Sequence, residues 1–107
     1  MGQPDVAVSK ATIPIIEAIR SKRRLVFAYH GGERIVEPHT YGLDKWQREI
    51  LCGYQVDGAS RSGAAQGWRT FVVSELSGLR VDPQHFAQPR PEYQRNDGAF
   101  KQILAQL

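Results

Sequence analysis

A chain of 107 residues carrying 14 Lys+Arg against 11 Asp+Glu is one small domain with a formal charge of +3, large enough to bury a core of its own and too short for two. The charge is compatible with a polyanionic partner without requiring one, and a single cysteine excludes an internal disulfide framework and fits a reducing compartment. No apolar run approaches the ~20 residues of a membrane span, and IPIIEAI, the nearest thing to a signal core, holds Glu17, so the sequence reads as cytoplasmic with no membrane partner.

Residues 1–11 are polar and aperiodic and read as a disordered tail. From Thr12, isoleucines at 15, 16 and 19 fall at the offsets of an amphipathic helix, with Pro14 tolerated in the first turn and an end near Lys22. Arg20, Lys22, Arg23 and Arg24 then crowd the helix exit. They are either solvated cations at the negative end of the helix dipole or part of a phosphate-binding surface.

Beyond Arg24 the period drops to two. Leu25, Phe27 and Tyr29 share a face, and Gly31-Gly32 supplies a primed hairpin turn. The second arm, ERIVEPHTYGL, contains Pro38, which marks an edge, a bulge or the strand's end. DKWQR reads as a turn with an exposed Trp46. EILCGYQV follows as a third strand, where Gly53 signals a bend or a close backbone approach. Residues 57–67, all but free of bulky side chains, read as a mobile loop. WRTFVVSEL and GLRV give two more strands split at Ser77-Gly78, and residues 82–96 are irregular. Asp97 as N-cap and a stripe of Phe100, Ile103, Leu104 and Leu107 predict a C-terminal helix over 97–107. The expected fold is mainly β with flanking helices: a small five-stranded SH3-like or Sm-like barrel over 12–86 with its N-terminal helix, and a C-terminal extension and helix, 87–107, packed on the barrel.

Among the polar residues on these strands, Glu37, His39 and Tyr41 alternate and so share a face, with Arg34 on the other unless a bulge intervenes. Arg69 and Phe71 share a face of the fourth strand, and Tyr54 ends the third. Guanidinium groups hold phosphates or carboxylates bidentately, rings stack on bases, and a carboxylate orients an arginine between them. The set suits an anion with a flat ring. It equally suits an internal Arg34–Glu37 or Arg69–Glu37 ion pair with Tyr29 and Tyr54 as core aromatics. His30, His39, His85 and Cys52 show no short metal-ligand spacing, Cys52 lies among apolar residues, and the SRSGAAQG loop lacks a Walker lysine. No cofactor and no catalysis is expected.

The order AIRSKRRLVFAY, RIVEPHTYG, EILCGYQV and GWRTFVVSEL resembles the WYL domain, a module found behind winged helices in bacterial transcription regulators. The resemblance spans roughly 13–86 and is carried most specifically by Tyr29, by Arg34, Glu37 and Pro38, and by Arg69 and Phe71. It implies an Sm-like barrel that senses single-stranded nucleic acid or a nucleotide-like anion. On that reading Arg34 and Arg69 contact phosphate, Tyr54 and Phe71 stack or wall the pocket, Glu37 orients an arginine and His39 serves the rim. The naming tripeptide is here Glu49, Ile50, Leu51, so only the leucine is kept. A single helix precedes the strands, which leaves no helix-turn-helix; the expectation is a free-standing binder, one that joins a partner regulator or a second copy, or a fragment of a longer regulator. The alternative is a protein-interaction or dimerisation barrel with no ligand of its own.

Overall fold

The computed structural model describes residues 8–59 and 63–107. Residues 1–7 of the expected tail, and 60–62 of the expected loop, lie outside that description. One helix, α1 (Thr12–Ser21), precedes strands β1 (Arg23–Tyr29), β2 (Gly32–Leu43), β3 (Glu49–Gly58) and β4 (Gly67–Val72); a 3-10 turn (Val73–Glu75), β5 (Ser77–His85) and β6 (Gln102–Gln106) follow.

The helix forms where the isoleucine stripe places it. Ile15 and Ile19 are buried, and Lys22 closes the C-terminus in the left-handed conformation, its N–H bonded back to Ile19. At the other end Thr12 Oγ1 accepts the N–H groups of Val8 and Ser9 at 2.9 and 3.1 Å. Tyr41 donates its hydroxyl to the Glu49 carboxylate, which leaves the Thr12 hydroxyl as the donor to Tyr41, 2.7 Å away. That relay ties α1 to β2 and β3.

All the strands pair antiparallel in one sheet of order β4-β3-β2-β1-β5, with β6 added to β2. Two expectations change here. The sheet has six strands, and its end strands, β4 and β5, do not pair with each other, so it is not closed into a barrel. The segment expected as a C-terminal helix is largely strand. Asp97 does begin a turn, accepting Ala99 N–H at its side chain and Phe100 N–H at its carbonyl, but the turn stops there. Residues 102–106 instead pair with Thr40–Leu43 of β2. Along β2 that edge is taken by β1 only as far as Val36, so the remainder offers unpaired backbone groups that a short amphipathic segment satisfies better than an isolated helix of three turns would.

The β1–β2 hairpin turns at His30-Gly31, both at positive φ, one residue before the expected Gly31-Gly32, since Tyr29 pairs with Gly32. Within β2 the register slips between Pro38 and Thr40, making His39 the bulged residue. Gly53 sits opposite Pro38, where a Cβ would lie 2.7 Å from the Glu37 carbonyl oxygen and 2.6 Å from Val36; the close backbone approach expected there is present.

One face of the sheet carries the core: Leu25, Phe27, Tyr29, Val36, Tyr41, Leu51 and Phe71 pack with Ile15 and Ile19 of α1. The residue pairs Glu37–Tyr54, Thr40–Cys52, Tyr54–Trp68 and Ile50–Val72 lie across the other face. Over this second face runs the irregular segment that follows β5.

Candidate ligand-binding site

The bulge at His39 decides which side chains meet. Without it Tyr41 would share a face with Glu37; with it, Tyr41 crosses into the core, where it is fully buried, while Glu37 and His39 stay on the second face. The expected grouping of Glu37, His39 and Tyr41 therefore loses Tyr41.

The remaining residues separate by face. Tyr29 and Phe71 are core: Phe71 meets Tyr29 and Phe27 edge-to-face at centroid distances of 5.0 and 4.9 Å, and the Tyr29 hydroxyl accepts the Val72 N–H. Arg34 pairs with Phe27 in register and is 5% exposed. Its guanidinium donates to the Tyr29 carbonyl at 3.1 Å and to Gln55 Oε1 at 3.3 Å, with a cation–π contact to the Tyr29 ring. Gln55 in turn donates to the carbonyls of Ala59 and Ala65. Arg69 donates to the carbonyls of Trp68 and Ala64. Arg34, Gln55 and Arg69 thus fasten the strand ends around the β3–β4 connection, on the opposite face from Glu37 and Tyr54. Neither arginine pairs with Glu37.

Glu37 is held by two arginines that the strand pattern did not single out as its partners. Its side chain is 2% exposed. Arg90 approaches it bidentately, Nε to Oε1 at 2.7 Å and a terminal nitrogen to Oε2 at 3.1 Å, and Arg24 donates to Oε2 at 3.2 Å. The Arg90 guanidinium also lies 4.5 Å from the centroid of Tyr54, and pairing with Glu37 raises its pKa further above the usual arginine value.

His39 is fully buried beside this cluster. Its Nδ1 bonds the Glu37 carbonyl at 2.8 Å and its Nε2 accepts the Arg90 backbone N–H at 3.0 Å, which fixes the neutral tautomer with the proton on Nδ1. Burial lowers its pKa, and the hydrogen bond and charge of Glu37 only partly offset that. The imidazole is packed by Trp68, Tyr93 and Phe86 at centroid distances of 4.7, 5.2 and 5.8 Å, and Trp68 Nε1 donates to the Pro91 carbonyl at 3.1 Å. Cys52, half-buried nearby, has its thiol pKa pushed up by burial and by Asp97, the reverse of what a nucleophile requires.

Between Arg24, Glu37 and residues 86–91 a concavity of about 340 Å³ is left. Its walls carry two guanidiniums and one carboxylate, so a positive charge remains. Arg24 and Arg90 are 26% and 36% exposed in their side chains, and the half-buried rings of Tyr54 and Trp68 meet edge-to-face at 5.8 Å. Sequence reading missed Arg90, Trp68 and Tyr93 as site members and left Arg24 between two roles. The one signal for Arg90 was its place between Pro89 and Pro91, which restrict the backbone of Gln88 and of Arg90 itself. Among the described residues no cluster of His, Cys, Asp and Glu is arranged to hold a metal ion, and no helix is long and apolar enough to cross a membrane.

No family model matches the chain, and neither a curated protein nor a solved structure matches it.

Proposed function

We propose that the chain is a non-enzymatic sensor module that binds a nucleotide-like anion, free or as part of a single-stranded nucleic acid, at the Arg24–Arg90 concavity. The observation that carries the reading is the convergence of Arg24 and Arg90 on one buried carboxylate beside Tyr54 and Trp68. Glu37 holds the two guanidiniums in place and cancels one of their charges; the other is left for a phosphate, with Phe86 as the aromatic ring in the concavity's lining. Arg34 and Arg69 act in this reading on the loop geometry and not on the ligand.

The resemblance to WYL domains points to the same class of ligand, though through Arg34 and Arg69, and adds to the proposal a role in transcription regulation in the bacterial cytoplasm, with a change of assembly with a partner regulator or a second copy when occupied. An SH3-like or Sm-like relationship belongs to the proposal too: the Val72 N–H bond to the Tyr29 hydroxyl at 3.0 Å ties end strand β4 to β1, the neighbour of the other end strand β5, and the short 3-10 turn joins β4 to β5.

The test is fluorescence anisotropy of a labelled oligothymidylate and of a labelled nucleotide. Neutralising about one phosphate gives a log–log salt slope of about −0.7 for a single strand, so affinity should fall about 2.6-fold from about 50 to about 200 mM salt. Arg24→Ala should abolish binding. Salt-independent binding, or full affinity in Arg24→Ala, refutes the proposal.

A second reading rests on the outer edge of β5, with which no other strand among the described residues pairs, and which suits strand addition by a second copy. It is favoured if sedimentation shows concentration-dependent dimers that Arg24→Ala leaves intact.

A further inference from the structure

The turn joining β2 to β3 is built more rigidly than a surface connection needs. Asp44 Oδ1 accepts the N–H groups of Trp46 and Arg48, both at 2.9 Å, and its Oδ2 accepts Arg48 Nε at 2.8 Å. Backbone bonds between Asp44 and Arg48 and between Gln47 and Asp44 close the turn. Those donors hold the Asp44 carboxyl below its ordinary pKa although burial pushes it up. What the turn presents is Trp46, 65% exposed, with Lys45 Nζ 4.6 Å and the Arg48 guanidinium 5.1 Å from its ring centroid.

Beside Trp46 lies a hollow of about 450 Å³ with Ile50, Val72 and Phe100 as its apolar floor and Gly98, Ala99 and Lys101 also in its lining. It shares no lining residue with the Arg24–Arg90 concavity. Ile50 and Phe100 are 4% and 8% exposed, so the floor is packed and firm. Lys45, Arg48 and Lys101 line the hollow against the single carboxylate of Asp44, already committed to Arg48. If Trp46 served only to hold the turn through cation–π contacts, its ring would have no need to stand beside an apolar hollow.

We propose that this hollow is a second binding site, for a small amphiphilic anion: a flat aromatic body bearing a carboxylate. The body lies on the apolar floor against Trp46, and the carboxylate meets the excess positive charge at Lys101 and Lys45. Size and charge both select this occupant. The volume falls in the range of small-molecule sites, and a neutral aromatic would leave the cations unanswered.

The probe is 2-naphthoate, with 2-naphthamide as its neutral counterpart, followed by amide and indole shifts in nitrogen-15 correlation spectra of the whole chain. For about thirteen non-hydrogen atoms, the efficiency of ordinary ligands corresponds to a Kd on the order of 1 mM. Saturable shifts at the Trp46 indole N–H and at Gly98 and Lys101, with naphthamide about tenfold weaker for the lost charge-assisted bond, support the site. Trp46→Ala should lose the binding, and Lys101→Glu, an exposed substitution that spares the fold, should weaken it at least about tenfold. Failure to saturate at about 10 mM, equal affinity for naphthamide, full affinity in Lys101→Glu, or shifts confined to the Arg24 and Arg90 region would overturn it. So would shifts at Trp46 that grow with protein concentration alone, since a second copy would then cover the hollow.

Discussion

Replacing Glu37 by glutamine tests whether this carboxylate organises the second face. The side chain is 2% exposed and receives four guanidinium contacts between 2.7 and 3.3 Å from Arg90 and Arg24. Glutamine keeps one acceptor but turns an NH2 toward the other arginine and leaves two like charges facing each other. Breaking a buried pair by removing one partner costs about 3–5 kcal/mol. Here both arginines are partly solvated, 26% and 36% exposed, so water screens much of the repulsion and about 2 kcal/mol is the expected loss. In a domain of this size that lowers Tm by roughly 10 °C. Thermal unfolding followed by circular dichroism measures it, and Glu37→Gln/Arg90→Gln should regain part of the loss, because the uncompensated charge is then removed. A single variant melting within about 2 °C of the parent, or a double variant whose loss is the plain sum of the two single losses, would refute the assignment of Glu37 as the organising charge.

Lowering the pH should loosen the same face. Because burial lowers the pKa of His39 below its free value of 6.5, its neutral form stabilises the fold fully above about pH 6.5, and that contribution is lost as the pH falls through the folded value. The slope is at most about 1.4 kcal/mol per pH unit for one proton; urea unfolding between about pH 7.5 and 5 reads it, and an unchanged slope in His39→Asn would assign it elsewhere. Tyr41→Phe removes the relay between Thr12 and Glu49 and should cost about 1–2 kcal/mol, seen as a lower urea midpoint. Gly53→Ala forces a methyl into the Glu37 carbonyl and Val36 and should cost about 1–3 kcal/mol; a stability equal to the parent's would show that β2 and β3 separate without strain there. Native Cys52 should react with a disulfide reagent far more slowly than the unfolded chain does, since burial raises its thiol pKa.

What the sequence could reveal followed the range of the interactions involved. The isoleucine period of α1 and the turns of the β1–β2 and β2–β3 hairpins are set by neighbours a few residues apart, and helix and hairpins are present; the tight approach at Gly53 was legible in the glycine itself, although it is made to Val36, Glu37 and Pro38 on the facing strand. The C-terminal segment was misread because its apolar spacing satisfies a helix, while the deciding fact, a free stretch of β2 edge at Thr40–Leu43, belongs to residues about sixty positions earlier.

The site turned on something smaller. Pro38 signalled a possible bulge, but its place and its consequence depend on where β3 pairs, and one extra residue there reverses every later side chain of β2. The bulge lies beyond Glu37, so plain alternation along β2 already sets Glu37 on the face opposite Arg34, and the β3–β4 register puts Arg69 on that opposite face too, so Glu37 needs positive partners from elsewhere. Arg24 stands on β1, next to Leu25, which pairs with Val36, and so reaches Glu37 from the neighbouring strand. Arg90 arrives from a segment with no period at all, positioned by the Arg90 N–H bond to His39 and the Trp68 indole bond to Pro91. A charge-balance argument narrows the search: a carboxylate on a strand otherwise chosen for burial must be matched by cations, and if its own strand points them away, the proline-flanked arginine of the extension is the next to consider. The residue types therefore carried the chemistry of the site, while strand alternation set Arg34 and Arg69 aside and the bulge took Tyr41 into the core.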